Sequence, residues 1–334
     1  MNVLFRVDSS IMIGTGHVMR CLVLADELKK HGAHIFFMCC DELGNVNDLI
    51  TAKGYPVLIA RTLLDCPVKG RYDWVIVDHY KLDAYWQTEA KKFADRIMVI
   101  DDLADRQHDC NLLLDQNFYR DMDSRYSRWV QPSCHQLLGP SYALLRPEFS
   151  QHRVGLGSRL AEVKQALVCF GGTDPTNETE FVLQALRGST DQVKLKIITG
   201  KNNPHLHKIS AICEQNEQYE LLVQTSHVAS VMRECDIAIC SGGTLTWERY
   251  CMGLPALIIT NAENQRDIAR SSDRLGVDVY LGHSGMVTES ELQEAWELAI
   301  CNPFWISRAS RYAAEMVDGL GVERVCNYLL FPKG

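Results

Sequence analysis

Short apolar runs alternate along the chain with stretches in which hydrophobic residues recur every three or four positions, the signature of strands exchanging with amphipathic helices. Residues 2–7 (N-V-L-F-R-V) read as a buried strand, and Val18, Leu22, Ala25 and Leu28 fall on one face of the helix that follows. Further strands are predicted at 34–38 and 55–60, around a helical stretch at 46–53. Residues 73–78 (D-W-V-I-V-D) form the clearest buried strand of this half. A helix over 85–94 and strands at 96–100, 111–115 and 136–138 complete it. The polar, glycine-containing stretch 151–159 then marks a boundary, giving domains of residues 1–150 and 151–334.

The pattern begins afresh in the second half, with a strand at 165–170, a helix reaching about 186, and strands at 193–199, 219–223, 236–240 and 256–259. From Gly282 onward the chain reads as helices, at 290–300, 305–316 and 322–330, placed in the second domain. Repeated strand–helix alternation predicts an α/β protein with parallel sheets, in which ligands collect at the strand C-termini.

Composition changes the picture in three ways. A length of 334 residues with 46% hydrophobic and 23% charged residues suits two domains with full cores. A net charge of -8 argues against general binding to nucleic acid or an anionic membrane. The 13 cysteines are odd in number and include no C-x-x-C pair, which fits buried reduced thiols in a cytoplasmic protein. No apolar run approaches membrane-spanning length, so neither nucleic acid nor membrane insertion is expected.

Candidate chemistry gathers first at D-S-S-I-M-I-G-T-G-H-V-M-R, residues 8–20, a glycine turn between a strand and a helix. Gly14 and Gly16 allow a tight turn and close approach of a ligand to free helix N–H groups. His17 stands in the first helical turn, where the positive end of the dipole favours the neutral ring, an acceptor for a proton from water. A simple turn with His17 packed at the helix entrance accounts for the loop equally well. Met19 occupies the place of the third glycine of G-x-G-x-x-G, and no G-K-[ST] occurs, so NAD and P-loop sites lose their main support. Asp78, His79 and Tyr80 follow the clearest strand. Asp101 and Asp102 read as loop-capping groups rather than metal ligands, and the pairs His31/His34 and His205/His207 lack an H-E-x-x-H frame, so no metal is assigned.

In the second half Gly171, Gly172 and Thr173 form another glycine turn, with Asp174 or Thr176 as helix cap and Pro175 in the first turn. Ser241, Gly242, Gly243 and Thr244 end the strand at 236–240, and Glu248 lies one turn along the next helix. Amides and hydroxyls suit a diphosphate, and a carboxylate accepts paired ribose hydroxyls. Asn261, Glu263, Asn264 and Gln265 end the following strand and suit sugar hydroxyls. Helix capping by Thr244 and a solvated Glu248 is the competing account of each residue singly; their succession at strand ends favours a nucleotide-sugar site.

R-V-D-S-S-x-x-I-G-x-G-H-V-x-R (6–20), L-L-G-P-x-Y-A-L-L-R-P-E-F (137–149) and S-G-G-T-x-x-x-E (241–248) together resemble the PseG family, the UDP-2,4-diacetamido-2,4,6-trideoxy-β-L-altropyranose hydrolases of pseudaminic acid biosynthesis. The last motif by itself also resembles GT-B glycosyltransferases. The resemblance implies a GT-B-like fold, two Rossmann-like domains facing a central cleft, with UDP held by the second. It implies an inverting hydrolysis of a small-molecule UDP-sugar; this scheme requires no metal, no cofactor is expected, and a monomer is expected. By motif position His17 is the base, Tyr80 helps form the site and Glu248 is the UDP-binding acid. Tyr80 and Asn264 would position water or sugar, Asp8 would bind or orient a catalytic group, and Gly14, Gly16 and Arg20 would lie against the substrate, as would Gly171, Gly172, Thr173, Ser241, Gly242, Gly243, Thr244 and Gln265. A GT-B transferase and a non-catalytic UDP-sugar sensor remain alternatives.

Overall fold

Both faces of the first sheet are covered, which explains why its strands are apolar without alternation. In a computed structural model, which describes residues 1–157, 159, 162–189 and 192–332, this sheet comprises β1 (Asn2–Val7), β2 (His34–Cys40), β3 (Val57–Ala60), β4 (Tyr72–Asp78), β5 (Ala94–Ile100), β6 (Leu112–Asp115) and β7 (His135–Leu138). Its strands are all parallel, in the order 3-2-1-4-5-6-7. Val3, Leu4, Phe5 and Val7 of β1 are fully buried at its centre. The strand order reverses between β1 and β4, whose register pairs Val7 with Asp78, and an open α/β sheet binds ligands outside the strand ends at that reversal.

The second sheet repeats this plan with β8 (Gln165–Cys169), β9 (Lys194–Thr199), β10 (Tyr219–Val223), β11 (Ile237–Cys240), β12 (Ala256–Thr260) and β13 (Val279–His283). The strands are again parallel, in the order 10-9-8-11-12-13, with the reversal between β8 and β11. A fully buried ion pair ties its far edge together: Arg249 donates from both terminal nitrogens to Asp278, each at 3.0 Å, while Tyr250 Oη and the Ala256 N–H donate to the same carboxylate at 2.9 Å. The bidentate geometry and added donors satisfy the desolvated charges.

The expected division at residue 150 is corrected. The two units are Met1–Arg146 with Leu320–Gly334, and Pro147–Gly319. The last helix, Gly321–Leu330, returns to the first unit, where Val322, Val325, Cys326 and Leu329 join the core formed by the first helix, Gly16–Lys30, and β1. Full burial of such aliphatic side chains is worth roughly 1.5–3 kcal/mol each. Gly321 permits the approach, because a Cβ there would lie 2.3 Å from the Ala143 carbonyl oxygen.

Three further expectations differ in extent. The helix predicted over 85–94 is Ala84–Ala90, capped by Asp83, because Ala94 already pairs with Tyr72 in β5. Residues 147–153, half inside the proposed boundary, form the helix Pro147–Arg153. The edge strand β13 was missed, since its residues are only half-buried and the apolar run V-Y-L in V-Y-L-G-H is only three residues long.

Candidate functional site

At the reversal point of the first sheet, Asp78 ends β4 beneath the first helix. The turn ahead of that helix is closed by the Gly14 N–H donating to the Ser10 carbonyl at 2.8 Å, with Gly14 at φ 78°, a conformation a side chain would strain. Thr15 begins the helix without a side-chain cap. His17 and Arg20, one turn apart, therefore face the same strand end.

His17 Nδ1 lies 2.6 Å from Asp78 Oδ1. Arg20 grips the same carboxylate from its side, Nε to Oδ2 and a terminal nitrogen to Oδ1, both at 2.6 Å. Asp78, held ionised, can only accept, so the ring nitrogen facing it is the N–H, and Nε2 is left as the acceptor of the neutral ring. Burial pushes the Asp78 carboxyl up, but the Arg20 guanidinium and the His17 ring overrule it and hold it well below the usual carboxylate range. Tyr80 packs edge-on against His17 with ring centroids 4.7 Å apart, and its hydroxyl donates to Asp102 Oδ2 at 3.2 Å. Arg20 also stands 3.7 Å from that oxygen. His17, Asp78, Arg20, Tyr80 and Asp102 thus form one constellation.

Asp78 and Asp102 were not among the expected site residues. The signal for Asp78 was present in the D-H-Y that ends the strand, and the i, i+3 spacing of His17 and Arg20 pointed to a shared partner. Asp101, by contrast, caps its loop as expected, accepting from the Leu103 and Ala104 N–H groups at 3.2 and 2.9 Å. Asp8, 1% exposed, is engaged on its own side of the sheet, accepting from Arg6 at 2.6 Å and from the Cys40 N–H at 2.7 Å. His79 stands 3.4 Å from its other oxygen through Nε2, while His79 Nδ1 accepts from the Lys81 N–H at 3.0 Å. Burial pushes the His79 imidazole down to about 4 despite the neighbouring Asp8 carboxylate, so this ring is neutral near pH 7. Arg20 likewise is buried and committed to carboxylates rather than open to a ligand.

In the second unit the loops after β8, β9, β11 and β12 meet at the same end of their sheet. The exposed turn Gly171, Gly172 and Thr173 rests on Gly200, whose N–H donates to the Gly172 carbonyl at 3.0 Å. A Cβ on Gly200 would come 2.5 Å from that carbonyl oxygen, so only glycine allows this approach. Gly200 was missed in the sequence, although a glycine directly after an apolar strand is its signal. Asp174 serves as the cap, accepting from the Glu178 and Thr179 N–H groups at 3.1 and 2.8 Å; Asn177, not Pro175, precedes the first helical residue.

Ser241 and Gly242 are buried under the β11 end, Gly243 and Glu248 are half-buried, and Thr244 is exposed with no side-chain cap bond, so its hydroxyl is not spent on the helix. Gln265 does not present its amide outward as expected. Its Oε1 accepts from the Asn261 N–H at 3.1 Å and its Nε2 donates to the Asn261 side chain at 2.8 Å, bracing the loop against Gly243. Asn264 and Glu263 are exposed beside it. Among the described residues, no group of three or more His, Cys, Asp or Glu side chains could hold a metal ion, and no helix is long and apolar enough to cross a membrane.

Residues 166–295 match the glycosyltransferase family 28 C-terminal domain. The chain is 29% identical over 288 residues to the UDP-2,4-diacetamido-2,4,6-trideoxy-beta-L-altropyranose hydrolase of Campylobacter jejuni, covering 84% of this chain and 98% of that protein. It is 25% identical to the spore coat polysaccharide biosynthesis protein SpsG of Bacillus subtilis, over 97% of this chain and 96% of that one. Among solved structures, MurG of Acinetobacter baumannii superposes with a TM-score of 0.69 at 12% identity, over 98% of this chain and 99% of that one. The UDP-GlcNAc 2-epimerase of Neisseria meningitidis, bound to UDP-GlcNAc, gives 0.60 at 12% identity, over 99% and 100%. The chain therefore has the GT-B fold of two Rossmann-like units, and its likeness across most of its length to a hydrolase of this kind bears out the resemblance to the PseG family carried by its motifs.

Proposed function

We propose that this protein is a UDP-sugar-processing enzyme, and specifically that it hydrolyses UDP-2,4-diacetamido-2,4,6-trideoxy-β-L-altropyranose to the free sugar and UDP. The observation that carries the chemistry is the His17–Asp78 pairing at 2.6 Å, which leaves Nε2 as the acceptor on a ring held by Asp78. In this scheme Nε2 takes a proton from water as the water oxygen attacks the anomeric carbon from the face opposite the diphosphate. The bond from that carbon to the phosphate oxygen breaks, UDP departs with the electron pair, and the anomeric centre inverts. Asp78 stabilises the imidazolium formed. UDP is a stable anion, so an acid for the leaving oxygen is less needed than in hydrolysis of an ordinary glycoside.

Tyr80, edge-on to His17, and Asn264 position water or sugar, and the N–H groups after Gly14 and Gly16 face developing negative charge. The loops of Gly171 to Thr173 and of Ser241 to Thr244 take the diphosphate, and Glu248 accepts the ribose hydroxyls. The similarity to the Campylobacter hydrolase supports the substrate class. The match to the family 28 domain supports a second reading, transfer of the sugar to an acceptor.

UDP release from the purified protein with this sugar nucleotide, without acceptor and with chelator present, decides between them when the sugar anomer is followed by NMR. Rapid release with inversion is expected. Release that appears only when an acceptor is added would establish a transferase, and binding without turnover a sensor.

A further inference from the structure

Cys110 and Cys134 stand at the starts of two neighbouring strands, two residues before β6 and one before β7. Their sulfurs are 3.6 Å apart. The backbone holds them there: Leu112 pairs with His135, the His135 N–H donates to the Asn111 carbonyl at 3.0 Å, and Asn111 is itself bound to β5 through Ile97 at 2.8 Å. A disulfide needs about 2.05 Å between sulfurs, an approach that side-chain rotation supplies when the backbones already lie together. The two thiols are not equivalent. The hydrogen bond from Cys110 and the Leu113 N–H hold the Cys134 thiol below its usual range, whereas the same contact and burial push Cys110 up. Cys134 also lines a surface cavity of about 450 Å³ together with Ser133, His135 and Arg96, which brings the pair next to solvent although Cys134 is only 7% exposed.

We propose that Cys110 and Cys134 form a reversible thiol–disulfide site, oxidised by a low-molecular-weight disulfide of the glutathione type. Cys134 attacks as thiolate on one sulfur of that disulfide and expels the first thiolate, forming a mixed disulfide. Cys110 then loses its proton, attacks the Cys134 sulfur and expels the second thiolate. The two protein thiols give up two electrons and two protons, and the oxidant leaves as two thiols. The bond closes the segment between the two cysteines. That segment carries Tyr119 and Arg125, which donate to the Asp102 carbonyl at 3.1 and 3.0 Å, and Tyr126, which lies 3.0 Å from both Asp101 and Asp115. Oxidation therefore stiffens the support of Asp102, the member of the His17 constellation that holds the Tyr80 hydroxyl, and closing a loop of this length raises Tm by on the order of 5 °C.

The test uses the full chain with Cys66→Ser and Cys301→Ser, because these are the two cysteines that are not buried. After incubation with oxidised glutathione, alkylation under denaturing conditions is expected to find two fewer thiols, with one peptide link joining Cys110 to Cys134 that dithiothreitol reverses. In an added Cys134→Ser variant, Cys110 is expected to stay fully alkylatable. Retention of both thiols, a glutathione adduct on Cys134 that Cys110 never resolves, or a link to any other cysteine would overturn the site. An unchanged Tm in the linked protein would overturn the stiffening.

Discussion

Replacing Asp78 by asparagine keeps the shape of the side chain and removes one charge and one acceptor face. Three donors converge on this carboxylate within 2.6 Å, one from His17 and two from Arg20, and an amide offers a single oxygen. With that oxygen turned to Arg20, the amide N–H₂ faces His17 Nδ1 and makes it an acceptor. The ring proton then moves to Nε2, the atom that must take a proton from water. In the Ser-His-Asp triad of the serine proteases the corresponding change costs about 10⁴ in kcat; because the UDP leaving group demands less, a loss of 10²–10⁴ is expected here. KM should change little, since the loops proposed to hold UDP lie elsewhere. Stability should also fall. Asp78 is fully buried, and removing one partner of a buried pair costs about 3–5 kcal/mol, reduced here because Asp102 remains 3.7 Å from Arg20. Single-turnover UDP release measures the first effect and urea unfolding the second. A folded Asp78→Asn protein with kcat within about threefold of wild type would refute the orienting role of this carboxylate.

Tyr126 Oη lies 3.0 Å from both Asp101 and Asp115 but has one proton to give, so it satisfies only one of the two carboxylates when both are ionised; burial raises Asp115 to about 7, with Asp102 adding to the rise. A carboxyl raised in the folded state contributes stability that is present below pH 4 and lost as pH rises through 7. Asp115→Asn reproduces the donor without the titration and should stabilise the protein by up to about 4 kcal/mol at pH 8 and by little at pH 4; equal urea-unfolding increments at the two pH values would contradict this. Gly200→Ala forces a Cβ against the Gly172 carbonyl and should cost about 1–3 kcal/mol while displacing the Gly171–Thr173 turn, read as a lower Tm together with weaker UDP binding by calorimetry. Unaltered values for both would separate that turn from the nucleotide. Glu248→Ala should weaken UDP about 10- to 100-fold, the worth of a hydrogen bond to a charged group, and leave uridine-free phosphate binding unchanged; equal loss for both ligands would place the acid elsewhere than on the ribose.

Local sequence determined every strand but the half-buried edge strand β13, the two glycine turns and the doubled α/β plan, because period, β-branching and glycine act over a few residues and fully covered strands are apolar on both faces. It also marked His17, Tyr80, Thr244 and Glu248, whose places follow from strand ends and helix starts. Partnerships across the sheet were decided only by tertiary structure. Asp8 and Asp78 both end buried strands and look alike in the chain, yet the register of β1 and β4 gives Asp8 to Arg6 and His79 and gives Asp78 to His17 and Arg20. Gln265, an outward amide by sequence, is instead drawn inward by a local partner, Asn261, four positions before it. The last helix belongs to the first unit because Gly321 lets its backbone lie against Ala143, a contact 178 positions back along the chain that no local pattern encodes.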